Sequence, residues 1–149
     1  MTNQSKTERV VVGVDGSPAS QAALAWAAHY ATAVGATIRV VLAWHYPAAV
    51  GQAPVGVAPP GVTAEVELSR NEIVDKAIEA ALGDPAAMAV ERKIEYGHPA
   101  QVLIDESNDA DLLVVGHRGH GGFTDMLLGS VSTHCVTRAH CPVTVVRSD

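Results

Sequence analysis

The chain has 149 residues, a length that suits one domain with a buried core and leaves no room for two large domains. Hydrophobic residues make up 48% of it and aromatic residues only 4%, so the core has to be built from aliphatic side chains. With 10 basic and 16 acidic residues the net charge is −6, which argues against a protein that binds nucleic acid through its phosphates.

Strand-like and helix-like segments alternate along the chain. Most of the strand-like segments are continuous Val-rich runs, which are typical of a sheet that is buried on both faces. The alternation predicts a single α/β domain over residues 1–149, with an open, mostly parallel five-stranded sheet. In chain order, the predicted elements are strand Arg9–Val14, helix Ser17–Val34, strand Thr37–Trp44, helix Ala64–Leu82, strand Val90–Tyr96, helix Pro99–Ser107, strand Asp111–Val115, helix Ser130–Ala139 and strand Val143–Val146.

Local signals support the bounds of the first helix. Ser17 is a good N-cap, Pro18 suits the first helical position, and Gly35 suits the helix end.

Residues 1–7 form a polar tail. Residues 46–62 carry four prolines and three glycines, so we expect an irregular loop there.

The ends of two strands carry the residues of a candidate ligand site. In open α/β sheets, ligands bind beyond the carboxyl ends of the strands, at the point where the strand order reverses. The first strand ends in the sequence Gly13-Val14-Asp15-Gly16-Ser17, and the fourth ends in Gly116-His117-Arg118-Gly119. A further glycine, Gly129, precedes Ser130 at a predicted helix start.

These residue types suit a phosphate ligand. Glycine permits close approach of the backbone, and amides at a helix start beside the Ser130 hydroxyl form an anion site. Asp15 can accept hydrogen bonds from ribose hydroxyls or help to hold a phosphate-bound magnesium ion. A tight turn explains any one of the glycines, whereas their joint placement favours a phosphate site. The chain has neither a P-loop motif nor a G-x-G-x-x-G after the first strand.

The spacing Gly116-x2-Gly119-x9-Gly129-Ser130 resembles the ATP-binding signature of the universal stress protein family. The segments VVGVDGS, ADLLVVG and CPVTVVR resemble that family's first, fourth and fifth strands. The resemblance runs from about Glu8 to Arg147. It implies a Rossmann-like fold of the adenine nucleotide alpha hydrolase type, with helices on both faces and strand order 3-2-1-4-5. The first and fourth strands would then flank one crevice.

The resemblance also implies roles for individual residues in binding ATP, with or without magnesium. Val14 and Asp15 would lie along the adenosine, with Asp15 near the ribose or a metal ion, and Ala43 would offer backbone contacts to adenine. The other implied nucleotide-binding residues are Gly13, then Val115 and Gly116 around the base and ribose, and Gly119, Gly129, Ser130, Val131 and Ser132 around the phosphates. We expect replacement of Gly116 or Gly129 by a bulky residue to remove binding and leave the fold.

The predicted function is an ATP-binding universal stress protein, a nucleotide-loaded dimer that senses or signals. No residue in the motifs is a general base aimed at a γ-phosphate, so no catalytic residue is assigned. Three alternatives stay open: a slow ATP hydrolase or autophosphorylating enzyme, a binder of AMP or cyclic AMP, and an interaction module with an empty pocket.

His117 and His120 lack a partner carboxylate, which favours a solvated or phosphate-facing loop over a metal site, and Arg118 faces either a γ-phosphate or solvent.

The last strand and the cysteines bear on partners and location. In the order that the family implies, Val143–Val146 is an apolar edge strand, which predicts a homodimer through antiparallel pairing of two such strands.

Cys135 and Cys141 are too few for a disulfide framework. No segment has the length and apolarity of a membrane span, and the first residues lack an apolar signal-peptide stretch. We therefore expect a cytoplasmic protein with no membrane partner.

Overall fold

The computed structural model describes residues 6–44, 64–83, 90–119 and 128–148. All nine predicted elements are present in the predicted order, and no bound differs from its prediction by more than one residue. The predicted loop over residues 46–62, most of the predicted tail and His120 lie outside the described residues. The elements are β1 (Arg9–Gly13), α1 (Pro18–Val34), β2 (Thr37–Trp44), α2 (Ala64–Leu82), β3 (Val90–Tyr96), α3 (Pro99–Glu106) followed by a 3-10 turn (Ser107–Asp109), β4 (Leu112–Gly116), α4 (Ser130–Arg138) and β5 (Val143–Val146).

The five strands form one parallel sheet in the order β3-β2-β1-β4-β5. This confirms both the α/β class and the strand order that the family resemblance implied. From β1 the chain proceeds first to one side of the sheet, through β2 and β3, and then to the other, through β4 and β5. The strand order therefore reverses between β1 and β4, and the crevice expected from this topology opens at their carboxyl ends.

Two hydrophobic layers cover the sheet. Val10, Val11 and Val12 of β1 are fully buried, which explains why the run is continuous rather than alternating. Val10 and Val12 pack with residues of α1 and α2 on one face, and Val11 packs with residues of α3 and α4 on the other. Cys135 of α4 is a fully buried member of this second layer.

The turn between β1 and α1 is held by local hydrogen bonds. The Ser20 amide donates to Ser17 Oγ at 3.2 Å, which confirms Ser17 as the N-cap of α1. The Ser17 amide in turn donates to Asp15 Oδ1 at 2.9 Å, and Gly16 between them has a positive φ of 83°. The predicted end of α1 at Gly35 is confirmed by a left-handed C-cap with φ of 74°.

None of the helices in the described ranges combines the length and apolarity needed to cross a membrane.

Candidate functional site

The turns that follow β1 and β4 meet at the carboxyl edge of the sheet. A Cβ built on Gly119 would lie only 2.5 Å from Asp15 Oδ2, so the backbone after β4 passes directly over the Asp15 carboxylate. A side chain at residue 119 would fill this space. The two glycine-containing strand ends thus lie side by side, as the pairing of β1 with β4 requires.

Asp15 is a half-buried carboxylate with a fixed orientation. Its Oδ1 accepts the hydrogen bond from the Ser17 amide, and its own amide donates to Ser20 Oγ at 3.2 Å. Both partners belong to the first turn of α1, so the helix start holds the aspartate in place. A carboxylate held in this way can accept hydrogen bonds from ligand hydroxyls or contribute one oxygen to a hydrated cation.

The start of α4 is docked on the same loop. The Gly129 amide donates to the carbonyl of His117 at 2.7 Å, and a Cβ on Gly129 would lie 3.3 Å from Arg118 Cα. Gly129 is the N-cap of α4 and supplies no side-chain cap. The first amides of a helix are unpaired within the helix, so this turn is suited to bind an anion through its amides. Ser130, at the first helical position, is exposed.

Ser132 and Val131 are fixed inside the protein. Ser132 is buried, and its hydroxyl lies 3.0 Å from the His117 carbonyl oxygen and 3.1 Å from that of Gly129. This hydroxyl therefore joins the loop after β4 to the helix start, which leaves the amide of Ser132 as its group for an anion. The half-buried Val131 side chain packs in the α3–α4 layer.

Three other predicted site residues can face a ligand chiefly through their backbone. Val14 and Val115 are buried in the two core layers, and the Val14 amide donates to the Val41 carbonyl at 2.9 Å. Ala43 is half-buried beside the α3–α4 layer, two residues beyond the Val41 that pairs with Gly13. Gly13 itself faces Leu103, whose Cδ1 would lie 2.7 Å from an added Cβ.

His117 differs from the expectation of a solvated or phosphate-facing residue. Its side chain is buried, and Arg118 Nε donates to its Nε2 at 3.1 Å. Its amide donates to the Val146 carbonyl at 2.9 Å, so His117 extends the pairing of β4 with β5. Its position directly after an apolar strand is the one sequence signal for such a role, and it is a weak signal. His117 is a structural link between the site and β5.

The geometry at position 116 argues against the expectation that a bulky residue there leaves the fold intact. A Cβ on Gly116 would lie 2.6 Å from the carbonyl carbon of Ala19 and 2.8 Å from its oxygen. These are backbone atoms in the first turn of α1, which cannot move aside as a flexible side chain can. Gly116 therefore allows α1 to pack against the end of β4, whatever ligand the site binds.

We expect Gly116→Ala to lower the free energy of unfolding by about 1–3 kcal/mol, the usual range for overpacking of a core. Urea denaturation followed by circular dichroism measures this change. Gly119→Ala is the matched control, because its added Cβ meets only a side-chain oxygen of Asp15. Equal urea midpoints for Gly116→Ala and the parent chain would contradict the packing role.

The described donors at the site are suited to a cation that a ligand brings with it. Within the described ranges, no three His, Cys, Asp or Glu side chains come together as a metal site. Among the described residues, Asp15 supplies the carboxylate at the crevice. One or two carboxylates are sufficient for Mg²⁺ when the ligand's phosphates supply further oxygens.

Comparison with known proteins gives a consistent result. The family model described as "Universal stress protein family" matches residues 6–147. Universal stress protein Rv2005c of Mycobacterium tuberculosis (strain ATCC 25618 / H37Rv) is 36% identical, in a match that covers 100% of this chain and 51% of that protein. A universal stress protein of Mycolicibacterium smegmatis (strain ATCC 700084 / mc(2)155) is 37% identical over 93% of this chain and 45% of its own. The chain thus spans about half the length of these curated relatives.

Solved structures extend the comparison. A universal stress protein in complex with cAMP has a TM-score of 0.70 and 29% identity, and the match covers 97% of this chain and 100% of that one. The universal stress protein from Archaeoglobus fulgidus in complex with dAMP has a TM-score of 0.66 at 20% identity, covering 95% of this chain and 98% of that one. The second likeness supports the fold alone.

Proposed function

The chain belongs to the universal stress protein family, and we propose that its crevice between β1 and β4 binds an adenine nucleotide, ATP before others. The observation that carries the proposal is the close approach of Gly119 to Asp15 beside the start of α4. This arrangement places a hydroxyl acceptor and a turn of amides at one edge of the sheet. The relative that was solved with cAMP supports the adenine nucleotide class.

In this proposal each end of the nucleotide has its own protein partners. The ribose hydroxyls donate to Asp15, which also contributes an oxygen to magnesium when the cation accompanies ATP. The base lies toward the end of β2, beside the backbone of Ala43 and Val14. The phosphates accept hydrogen bonds from the backbone after β4 and from the first turn of α4, which comprises Gly119, Gly129, Ser130, Val131 and Ser132.

The proposed role is binding rather than turnover. Of the two histidines in the loop after β4, the one that the structure describes is His117, which is buried and whose Nε2 accepts a hydrogen bond from Arg118. It is therefore poorly placed to take a proton from a water that attacks a phosphate. A nucleotide-loaded protein without turnover fits a sensing or signalling role. We place that role in the cytoplasm, where free thiols such as Cys135 and Cys141 persist.

Cyclic AMP is the second candidate ligand, because the relative at 29% identity was solved with it. The long glycine spacing before Ser130 favours a polyphosphate and keeps ATP first. Mass spectrometry of small molecules released from the denatured, purified protein tests the ligand class, followed by calorimetry with Mg–ATP, AMP and cAMP. Stoichiometric ATP or ADP supports the first candidate, and a preference for cAMP supports the second. Failure to bind any of the three contradicts the nucleotide proposal.

We propose further that the chain forms a homodimer through β5. The amides of Leu113 and His117 donate to the carbonyls of Pro142 and Val146, so alternate residues of β5 pair with β4. The backbone groups of the intervening Val143 and Val145 therefore point away from β4. Among the described strands β5 is at an edge of the sheet, and this row of groups is available for antiparallel pairing with a second copy.

Val145→Pro is expected to convert the dimer to a monomer. Proline removes an outward amide and leaves the hydrogen bonds from β4 to Pro142 and Val146 in place. Val145→Ala, which keeps that amide, is the matched control and should remain dimeric. Light scattering coupled to gel filtration at micromolar concentration measures the mass. A monomeric parent chain, or a dimeric Val145→Pro variant, would argue against pairing through β5.

A further inference from the structure

A cationic and aromatic cluster, formed by Arg70, Trp44 and Tyr96, lies outside the crevice described above. The guanidinium carbon of Arg70 lies 5.1 Å from the centroid of the Trp44 ring. The edge of one aromatic ring faces the other, with the Trp44 and Tyr96 centroids 5.1 Å apart. Both rings are buried. The cluster therefore holds a guanidinium against an apolar wall.

Arg70 differs from three other arginines of the described chain, each of which pairs with a carboxylate. Arg9 pairs with Asp109, Arg39 pairs with Glu106, and Arg92 pairs with Asp75. Of the carboxylates in the described part of the chain, none forms an ion pair with Arg70. Its Nε is buried and has no hydrogen-bond acceptor among the residues that the structure describes. A buried N–H without an acceptor is costly, so the Arg70 guanidinium has hydrogen-bonding capacity that the described residues leave unused.

The cluster lies at the edge of the sheet where ligands bind. Trp44 and Tyr96 are the last residues of β2 and β3, and they are paired in register. Gln21 Nε2, near the start of α1, donates to the Ala77 carbonyl of α2 at 3.1 Å. Arg70 lies seven residues before Ala77, about 10 Å along α2 toward the carboxyl ends of the strands. Its guanidinium therefore lies at the level of the carboxyl ends of β2 and β3.

We propose that Arg70 is the centre of a second binding site, which takes an anionic oxygen group, phosphate or carboxylate, of a small ligand. The guanidinium offers planar, paired N–H donors that match the oxygens of either group, and Trp44 supports its face. The site lies at β2 and β3, whereas the proposed phosphate-binding turn is at α4. This second site extends the proposed nucleotide-binding function but does not depend on it, because binding of simple anions to Arg70 can be measured without nucleotide.

Tryptophan fluorescence provides the test. The chain has two tryptophans, and Trp26 is 37% exposed on α1, so Trp26→Phe leaves Trp44 as the reporter with little disturbance of the core. Inorganic phosphate and succinate are titrated separately into this variant, with chloride holding the ionic strength constant. We expect a saturable change in Trp44 emission with at least one of the two anions. Response to phosphate alone, to succinate alone or to both identifies the chemistry.

Variants in the same background locate the effect. Arg70→Met keeps a long apolar stem over Trp44 and removes the charge, and we expect it to weaken anion binding at least tenfold. Arg92→Met, at an exposed arginine paired with Asp75, is the matched control and should titrate like its parent. Gly129→Val should also leave the Trp44 response unchanged, because it perturbs only the turn at α4.

If Arg70→Met does not fold, a second variant and a second measurement still test the proposal. Arg70→Lys keeps the charge but lacks Nε–H and the planar fork, and the rise in Tm that the active anion causes in the parent should shrink in this variant. Three results overturn the proposal: no saturable response to either anion, an undiminished response in folded Arg70→Met or Arg70→Lys, or a response that disappears in Gly129→Val instead.

Discussion

Gly129→Val is expected to weaken binding of Mg–ATP about 100-fold, equivalent to about 2.7 kcal/mol, while the domain still folds. The reason lies in the contact between α4 and the loop after β4. A Cβ at position 129 would lie 3.3 Å from Arg118 Cα and 3.6 Å from the His117 carbonyl oxygen. The branched side chain of valine would push the first turn of α4 away from this loop.

Displacement of that turn removes the proposed phosphate donors together. Each hydrogen bond from an amide to a charged oxygen contributes about 1.5–3 kcal/mol, so the expected change corresponds to the loss of one or two such bonds. The fold should survive, because Gly129 has φ of −74° and ψ of 174°, which valine adopts without strain. The position differs in this respect from Gly116, where an added Cβ meets the backbone of α1.

Calorimetry with Mg–ATP measures the change in affinity, and circular dichroism monitors the fold. Thr137→Val is the matched control, because it introduces the same side chain at an exposed position in the last turns of α4. It should bind as the parent chain does. Wild-type affinity in a folded Gly129→Val variant would show that the turn at α4 does not hold the phosphates.

The elements could be predicted closely because their signals are local. The buried Val10–Val12 run, the Ser17 cap and the Gly35 stop each act within a few residues, and the structure confirms them. Strand order is not a local property, since it depends on which distant strands pair. The order 3-2-1-4-5 came from the family resemblance, and the alternation of elements by itself predicts no order.

The candidate site could be predicted only in part, for the same reason. The sequence indicates Asp15 and Gly119 because each follows a strand, but their approach depends on β1 and β4 lying side by side. The contact of Gly116 with Ala19 is also a tertiary one. The sequence does not distinguish a glycine that makes room for a helix backbone from one that makes room for a ligand. The inward orientation of His117 likewise depends on β5, more than twenty residues later.

The buried charge of Glu106 had no signal in the sequence. It occupies the end of α3, where a carboxylate is ordinarily solvated, yet it is only 6% exposed. Its carboxylate accepts a hydrogen bond from Arg39 Nη1 at 2.8 Å and another from Lys93 Nζ. Arg39 lies within the apolar run of β2, and this partner explains how a cation is tolerated there. The three groups form a cluster that spans β2, β3 and α3.

Glu106→Gln is expected to lower the free energy of unfolding by about 2–4 kcal/mol near neutral pH, since it leaves two cations without their buried partner. The expected loss is smaller than the about 3–5 kcal/mol that breaking a fully buried ion pair costs. The reason is that the Lys93 side chain is 43% exposed, so solvent stabilises part of its charge. Glu91→Gln is the matched control, because it removes a 54% exposed carboxylate from the same arginine. Its effect should stay below about 1 kcal/mol. Urea denaturation of both variants measures the difference.

The pH dependence separates an ionic role of Glu106 from a packing role. Burial alone would raise the pKa of Glu106, but the hydrogen bonds from Lys93 and Arg39 outweigh it and hold the pKa below the ordinary glutamate value. A lowered pKa means that the stabilisation is fully present above the ordinary value and is lost as the pH falls through the lowered one. The stability gap between the parent chain and Glu106→Gln should therefore be constant above about pH 5 and close in more acidic solution. If the stability gap between the two proteins were the same in neutral and in acidic solution, it would mean that the glutamine packs poorly and that the carboxylate charge contributes nothing.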